Sequence, residues 1–154
     1  MNIFLVQHGR ARTKKEDSTR PLIAAGVKAS EKVARWLAAA DIEVDEIRHS
    51  GKKRAEQTGL IFAGQLAPAR ELKAVSGLNP MDDVQPIADE LRGVQDSLML
   101  IGHLPFMSRL VGLLVAGDPE KEIVHFQNSG VVCLQEDEGQ WHIEWMIVPD
   151  LISE

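Results

Sequence analysis

Ile3-Phe4-Leu5-Val6-Gln7-His8-Gly9 and Leu98-Met99-Leu100-Ile101-Gly102-His103 are the two stretches that decide the fold. Each is a short, wholly apolar run that stops at a histidine and a glycine. Continuous rather than alternating apolar character marks a strand buried on both faces, as the inner strands of parallel sheets are.

Outward from these runs the chain alternates strand and helix. A polar, charged loop reaching Arg20-Pro21 leads into a helix predicted from Ile23 to Ala40. Its spacing puts Val27, Val33, Ala34 and Leu37 on one stripe and Lys28, Glu31, Lys32 and Arg35 on the opposite face. A strand is predicted near Val44 to His49, then a helix near Lys52 to Gln65 with Ala55, Leu60, Ile61 and Ala63 turned inward. An irregular stretch with Gly77 and Pro80 precedes a helix near Val84 to Arg92 carrying Ile87, Ala88 and Leu91. After the second histidine-ended strand, Leu104-Pro105 opens an apolar helix to Ala116, with Pro105 in the first turn where its missing N–H costs nothing. The last elements read as a hairpin. Val131 to Leu134 and Trp141 to Val148 flank Asp137-Glu138-Gly139-Gln140, with Trp141, Ile143 and Trp145 alternating with His142, Glu144 and Met146. This order specifies the α/β class: a three-layer α/β/α sandwich whose mostly parallel sheet ends in an antiparallel edge.

The chain has 154 residues, 44% apolar and 26% charged. That is a single domain over residues 1–154, and neither disordered nor collagen-like nor a disulfide-stapled miniprotein. The longest apolar stretch, Leu110 to Ala116, is far short of the roughly 20 residues of a membrane helix, and no basic-then-apolar leader is seen. The expectation is a cytoplasmic protein with no membrane partner. Cys133, the only cysteine, lies in Val131-Val132-Cys133-Leu134 and is expected to be a buried thiol. Charge is unevenly spread: residues 1–54 carry 12 Lys and Arg against 7 Asp and Glu, residues 55–154 carry 5 against 16. An acidic protein with a basic first third suits a small anionic ligand and not a nucleic acid.

Several common sites are excluded by spacing. No G-x-G-x-x-G follows a strand, and Gly51-Lys52-Lys53 lacks the upstream glycine and the Ser/Thr of a P-loop. Cys133 has no arginine six positions on, and no G-x-S-x-G elbow is present. The five histidines, His8, His49, His103, His125 and His142, have no zinc-type spacing, so neither metal nor cofactor is expected. Left over are two strand-end histidines and arginines in loops or helix starts, above all Arg20 and Arg54. Ligands of such sheets bind beyond the carboxyl ends of strands, where His8 and His103 could share one crevice. The combination suits phosphoryl transfer: a neutral imidazole can attack phosphorus when its other ring nitrogen is held, and guanidinium groups balance phosphoryl charge bidentately. Gly9 would let backbone N–H groups come close to the phosphate.

Phe4-Leu5-Val6-Gln7-His8-Gly9, Arg20-Pro21-Leu22, Ser50 to Thr58 with Arg54-Ala55-Glu56-Gln57-Thr58, and Gly102-His103-Leu104-Pro105 together resemble the histidine phosphatase superfamily, also called phosphoglycerate-mutase-like. Small size, the early Arg-Pro-Leu, and Phe126-Gln127-Asn128-Ser129-Gly130 before a Trp-bearing hairpin resemble its SixA-type phosphohistidine phosphatases. The resemblance covers nearly the whole chain. It implies that His8 is the nucleophile, transiently phosphorylated, that His103 is the second pocket histidine, and that Arg54 and Arg20 clamp the phosphate. It also implies metal-free hydrolysis, with a histidine-phosphorylated signalling protein as the phosphate-bearing partner.

One position departs from the pattern. The family has Arg-His-Gly where this chain has Gln7-His8-Gly9, so a positive charge is missing. A neutral hydrogen bond is worth about 1 kcal/mol against roughly 1.5–3 for a charged one, which predicts a several-fold loss of rate. Arg10 or Arg12 could return the charge by reaching into the pocket. The general acid is also open: Asp17, Asp82 and Asp83 are candidates, each equally explained by local capping. A phosphohistidine substrate needs such an acid least, because its leaving imidazole titrates near ~6.5. His49 could line the pocket rim, or stand at a strand end facing solvent. Two further readings stay open: a phosphatase for small phosphoesters, and a catalytically silent phospho-ligand binding module.

Overall fold

The computed structural model describes residues 2–153. Six strands form one sheet in the order β3-β2-β4-β1-β5-β6: β1 (Ile3–Gln7), β2 (Glu46–His49), β3 (Lys73–Ala74), β4 (Leu98–Gly102), β5 (Val131–Asp137) and β6 (Gln140–Ile147). Strands β1 to β4 are mutually parallel, and the β5–β6 hairpin closes the other edge with β5 antiparallel to β1. The helices are α1 (Ala24–Ala39), α2 (Lys53–Leu66), α3 (Gln85–Leu91) and α4 (Phe106–Ala116).

The central strand explains the layers. Ile3, Phe4, Leu5 and Val6 are all fully buried, each side chain contributing roughly 1.5–3 kcal/mol of burial. Ile3 and Leu5 join a cluster with residues of α3 and α4, such as Ile87 and Phe106, while Phe4 and Val6 join one with residues of α1 and α2, such as Leu37 and Phe62. Both faces of β1 are therefore covered, which is why its sequence does not alternate.

Three expectations are corrected. Leu60 is 58% exposed. The buried stripe of α2 is Ala55, Thr58, Gly59 and Phe62, so a threonine and a glycine occupy core-facing positions that hydropathy assigns outward. Trp145 does not share a face with Trp141: the ladder shifts between Cys133 and Leu134, whose partners are Trp145 and Ile143. The bulge leaves Glu144 as the extra residue, so Trp145 packs with Phe4 while Trp141 packs on the opposite face. Pro105 stands at the N-cap of α4 instead of inside its first turn. Cys133 is buried, and burial pushes its thiol up to about 12. No helix among the described residues is long and apolar enough to cross a membrane.

Candidate active site

The register of the sheet brings the two histidines together. Gln7 on β1 is level with Gly102 on β4, and His8 and His103 are the next residues of each strand. Adjacent strands lie about 4.8 Å apart, and the two imidazole centroids are 5.1 Å apart with planes inclined at 52°. Five intervening elements of chain thus collapse into one strand spacing.

His8 is held at three points. Its N–H donates to the Gly102 carbonyl at 3.0 Å, its own carbonyl accepts from Asn128 Nδ2 at 2.9 Å, and its ring Nδ1 lies 2.7 Å from the Gly9 carbonyl. A carbonyl only accepts, so Nδ1 carries the proton and Nε2 keeps its lone pair. Burial first, then the fields of Arg54 and Arg20, hold the His8 pKa down to about 4, despite the Gly9 hydrogen bond that raises it. His103 is lowered to about 3, by burial first and then by His8, Arg54, Lys52 and Arg20. Both rings are neutral at pH 7. His103 Nε2 lies 2.6 Å from Ser50 Oγ, which also accepts from the Lys52 N–H at 3.3 Å. Ser50 Oγ has one proton and two lone pairs, so it pairs with Nε2 in either tautomer of His103, whose other ring nitrogen is Nδ1. That atom is buried and has no partner among the described residues.

The cationic side comes from two other elements. Arg54 lies in the first turn of α2, its buried Nε unpartnered; burial first and Arg20 second lower its pKa. Arg20 sits at φ 50°, an unusual backbone for a non-glycine residue. It is pinned there by its N–H to the Asp17 carbonyl and its Nε to the Arg12 carbonyl, each at 3.0 Å. The Arg20 loop is tied to α2 by the Leu22 N–H, which donates to Gln57 Oε1 at 2.7 Å. A cleft of about 450 Å³ results, lined by His8, His103, Arg20, Arg54, Gln7 and Arg10, with Asn128 and Pro80 also on its wall. Gln7 Oε1 is buried without a partner among the described residues. Among the described residues no group of three His, Cys, Asp or Glu is placed to hold a metal ion.

Other expected residues are placed elsewhere. Gly9 does not line the cleft: its N–H donates to Thr58 Oγ1 at 2.9 Å. A Cβ there would come within 2.9 Å of Ser30 Oγ and 3.1 Å of Ser129 Oγ and the Gly26 carbonyl, so the glycine serves close packing beneath His8. Arg12 is exposed and contributes through its carbonyl, which orients Arg20. Asp17 accepts from the Thr19 N–H at 2.9 Å and hydroxyl at 2.8 Å, and Asp83 from the Gln85 N–H at 2.9 Å at the start of α3. Both are local caps. Asp82 accepts from the Asn79 N–H and borders a neighbouring groove, not the cleft. His49 is 4% exposed, neither at the rim nor in solvent; its Nδ1 accepts from the Gly51 N–H at 3.0 Å and shapes the turn before α2.

Reading for charged and nucleophilic residues missed Asn128, Ser50 and Thr58, because each acts through neutral hydrogen bonds to backbone or ring atoms. The signal for them was their place inside the same short segments as Arg54 and Ser129.

No family model matches the chain. It is 28% identical to the phosphohistidine phosphatase SixA of Escherichia coli strain K12, over 97% of this chain and 94% of that one. Among solved structures it is similar to the protein histidine phosphatase SixA complexed with tungstate, at a TM-score of 0.85 and 29% identity, covering 98% of this chain and 99% of that one. The α-ribazole phosphatase of Shigella flexneri, 12% identical at a TM-score of 0.78 over 94% of this chain and 95% of that one, shares the fold.

Proposed function

The chain belongs to the histidine phosphatase superfamily, in its SixA-type branch, and from that premise we propose that it removes the phosphoryl group from phosphohistidine in a cytoplasmic signalling protein by way of a covalent intermediate on His8. One observation carries this reading: an Nδ1-locked His8 faces the same cleft as His103, 5.1 Å away, beneath Arg20 and Arg54.

In the first step the Nε2 lone pair of His8 attacks phosphorus and the P–N bond of the substrate breaks; the substrate ring, already protonated on its other nitrogen, keeps the electron pair and departs as a neutral imidazole. Arg20, Arg54 and the imidazole of His103 surround the phosphoryl oxygens, so the charge of the transition state is balanced by fixed polar and cationic groups. In the second step water attacks the phosphorylated His8, the electron pair returns to Nε2, and orthophosphate leaves. A weakly basic His8, near 4, is a good leaving group for this step. Neither step needs a bound ion to neutralise charge.

The substrate class is supported by what the cleft lacks. Asp17, Asp82 and Asp83 are each tied into a turn or cap and none lines the cleft among the described residues. An alkoxide leaving group would need a carboxylic acid beside it; an imidazole, with a pKa near ~6.5, does not. Arg10 is the cation that can stand in for the missing family arginine, since it is exposed and lines the cleft, whereas Arg12 does not.

The test is phosphate release from a phosphorylated histidine-phosphotransfer protein, with and without a chelator. Wild type is expected to release orthophosphate at the same rate in both and to trap acid-labile phosphate on His8. His8→Ala should lose on the order of 10⁴-fold or more. Faster turnover of sugar or aryl phosphates would shift the substrate to phosphoesters. Phosphate binding without turnover or trapped phosphate would make the chain a binding module.

A further inference from the structure

Beside the histidine cleft lies a second groove that the two-step chemistry does not use. It measures about 770 Å³ against about 450 Å³ and shares Arg20, Arg54 and Pro80 with the cleft, so the two are continuous. Lys14, Lys52 and Lys53 join the two arginines along its walls. Asp82 is the one carboxylate lining it among the described residues, and it already accepts from Asn79.

All three lysines are exposed, and none of them is in an ion pair among the described residues. The rest of the surface is the reverse: the chain as a whole is at −6. A groove with five cations against the one carboxylate that lines it, on an acidic protein, attracts anions along a defined path. Its apolar part points to the kind of anion. Met81, 76% exposed, sits on the groove wall, and Leu104, 40% exposed, lies on the cleft wall beside it. A free phosphate gains nothing from an exposed thioether, whereas a protein surface covers both a methionine and the lysines around it. The walls are also preformed, since the loop bearing Lys14 is closed by the Arg12 N–H to the Pro21 carbonyl at 2.9 Å, and α2 is tied to it through Gln57.

We propose that this groove docks acidic side chains flanking the phosphohistidine of the partner protein, so that Lys14, Lys52 and Lys53 select substrates by local charge; this rests on the phosphohistidine reading above. The source of specificity then lies outside the cleft. Phosphate clamping is common to any phosphoryl group, while the groove reads what surrounds it.

Three phosphohistidine peptides of equal length, flanked by Asp and Glu, by Gln, or by Lys, provide the test. Wild type should favour the acidic over the neutral peptide in kcat/KM by about tenfold, disfavour the basic one, and lose this ranking near 1 M salt, where screening shortens to about 3 Å. The double variant Lys14→Glu/Lys53→Glu should reverse the ranking, with the neutral peptide as internal reference for folding. Lys28→Glu, on the exposed side of α1 and outside the groove, should preserve it. Equal kcat/KM for the three peptides, or a ranking that survives the double variant, would overturn the docking proposal alone. Turnover of none of them by wild type, with no phosphate trapped on His8, would remove the underlying reading and the proposal with it.

Discussion

At the amino end of β2 the buried Glu46 carboxylate accepts from Arg48 Nε and Arg70 Nε at 2.7 Å each, and the pairing extends to Asp96 through Arg70 and to Glu90 through Arg48. At the carboxyl end of the same strand, His49 and Ser50 lead to Arg54, and neither Arg54 nor Arg20 meets a carboxylate among the described residues. Burial alone would raise the Glu46 pKa, yet the hydrogen bonds from Arg48 and Arg70 outweigh it and the group stays low. Arg54 is shifted the other way, lowered by burial and by Arg20. One end of the strand neutralises its charges internally; the other leaves them for an anion that arrives from outside. Two arginine pairs in one small protein thus do different jobs, and the difference is read from their partners, not from their residue type.

The sharpest way to break this comparison is to change one charged residue at each end. Arg54→Ala should lower kcat/KM on a phosphohistidine protein by on the order of 10²–10³-fold, the usual effect of deleting one fixed donor to a transition-state oxyanion, with unfolding little changed. Glu46→Gln should leave kcat/KM in place and cost roughly 1.5–3 kcal/mol in urea unfolding, the range for hydrogen bonds to a charged group. If Arg54→Ala unfolds the protein and Glu46→Gln silences it, the two ends have been assigned the wrong way round.

A smaller effect comes from pH. His8 is held at about 4 and His103 at about 3, both chiefly by burial, against 6.5 for a free imidazole. The unfolded chain takes up protons on these rings as pH falls through 6.5, while the folded chain does so only near the lowered values. Stability from this source is therefore full above 6.5 and declines from there down to about 3, where His103 also protonates in the folded chain. Urea midpoints measured across that window should fall, and His103→Asn should flatten part of the decline. His8 itself takes up its proton only near 4, so an activity limb at 6.5 belonging to His8 would show that its ring is not buried in solution.

The smallest expected effect sharpens the comparison at the open end. Gln7 lines the cleft where a cation would strengthen it, so Gln7→Arg should raise kcat/KM several-fold, about 1 kcal/mol. A rate that does not rise would indicate that Arg10 already supplies the charge.

Much of the site was legible in the chain. His8 and His103 stand out because each ends a run of apolar residues, and Arg20 and Arg54 because they belong to the segments Arg-Pro-Leu and Arg-Ala-Glu-Gln-Thr. The helix stripes were less so. In α2 the inward positions include Thr58 and Gly59, one bonding Gly9 and the other packed against Leu72, and no hydropathy scale ranks them above Leu60. Asp17 and Asp83 looked like acids because a sequence shows that a carboxylate exists, not that a backbone N–H two residues away already occupies it. Asn128 and Ser129 reach β1 from 120 residues away or more, Asn128 at the His8 carbonyl and Ser129 at the Gln7 carbonyl, contacts for which no local pattern exists.

By itself the sequence determined that two doubly buried strands end in imidazoles and that cations gather in the first third, because burial and charge are properties of residue type and spacing. Only the tertiary structure decided which ring nitrogen is free, which arginines go unpaired and which carboxylates are spent. Those outcomes depend on hydrogen-bond distances of about 3 Å between residues far apart in the chain, and such distances are set by sheet register and by the close packing of Gly9 beneath α1.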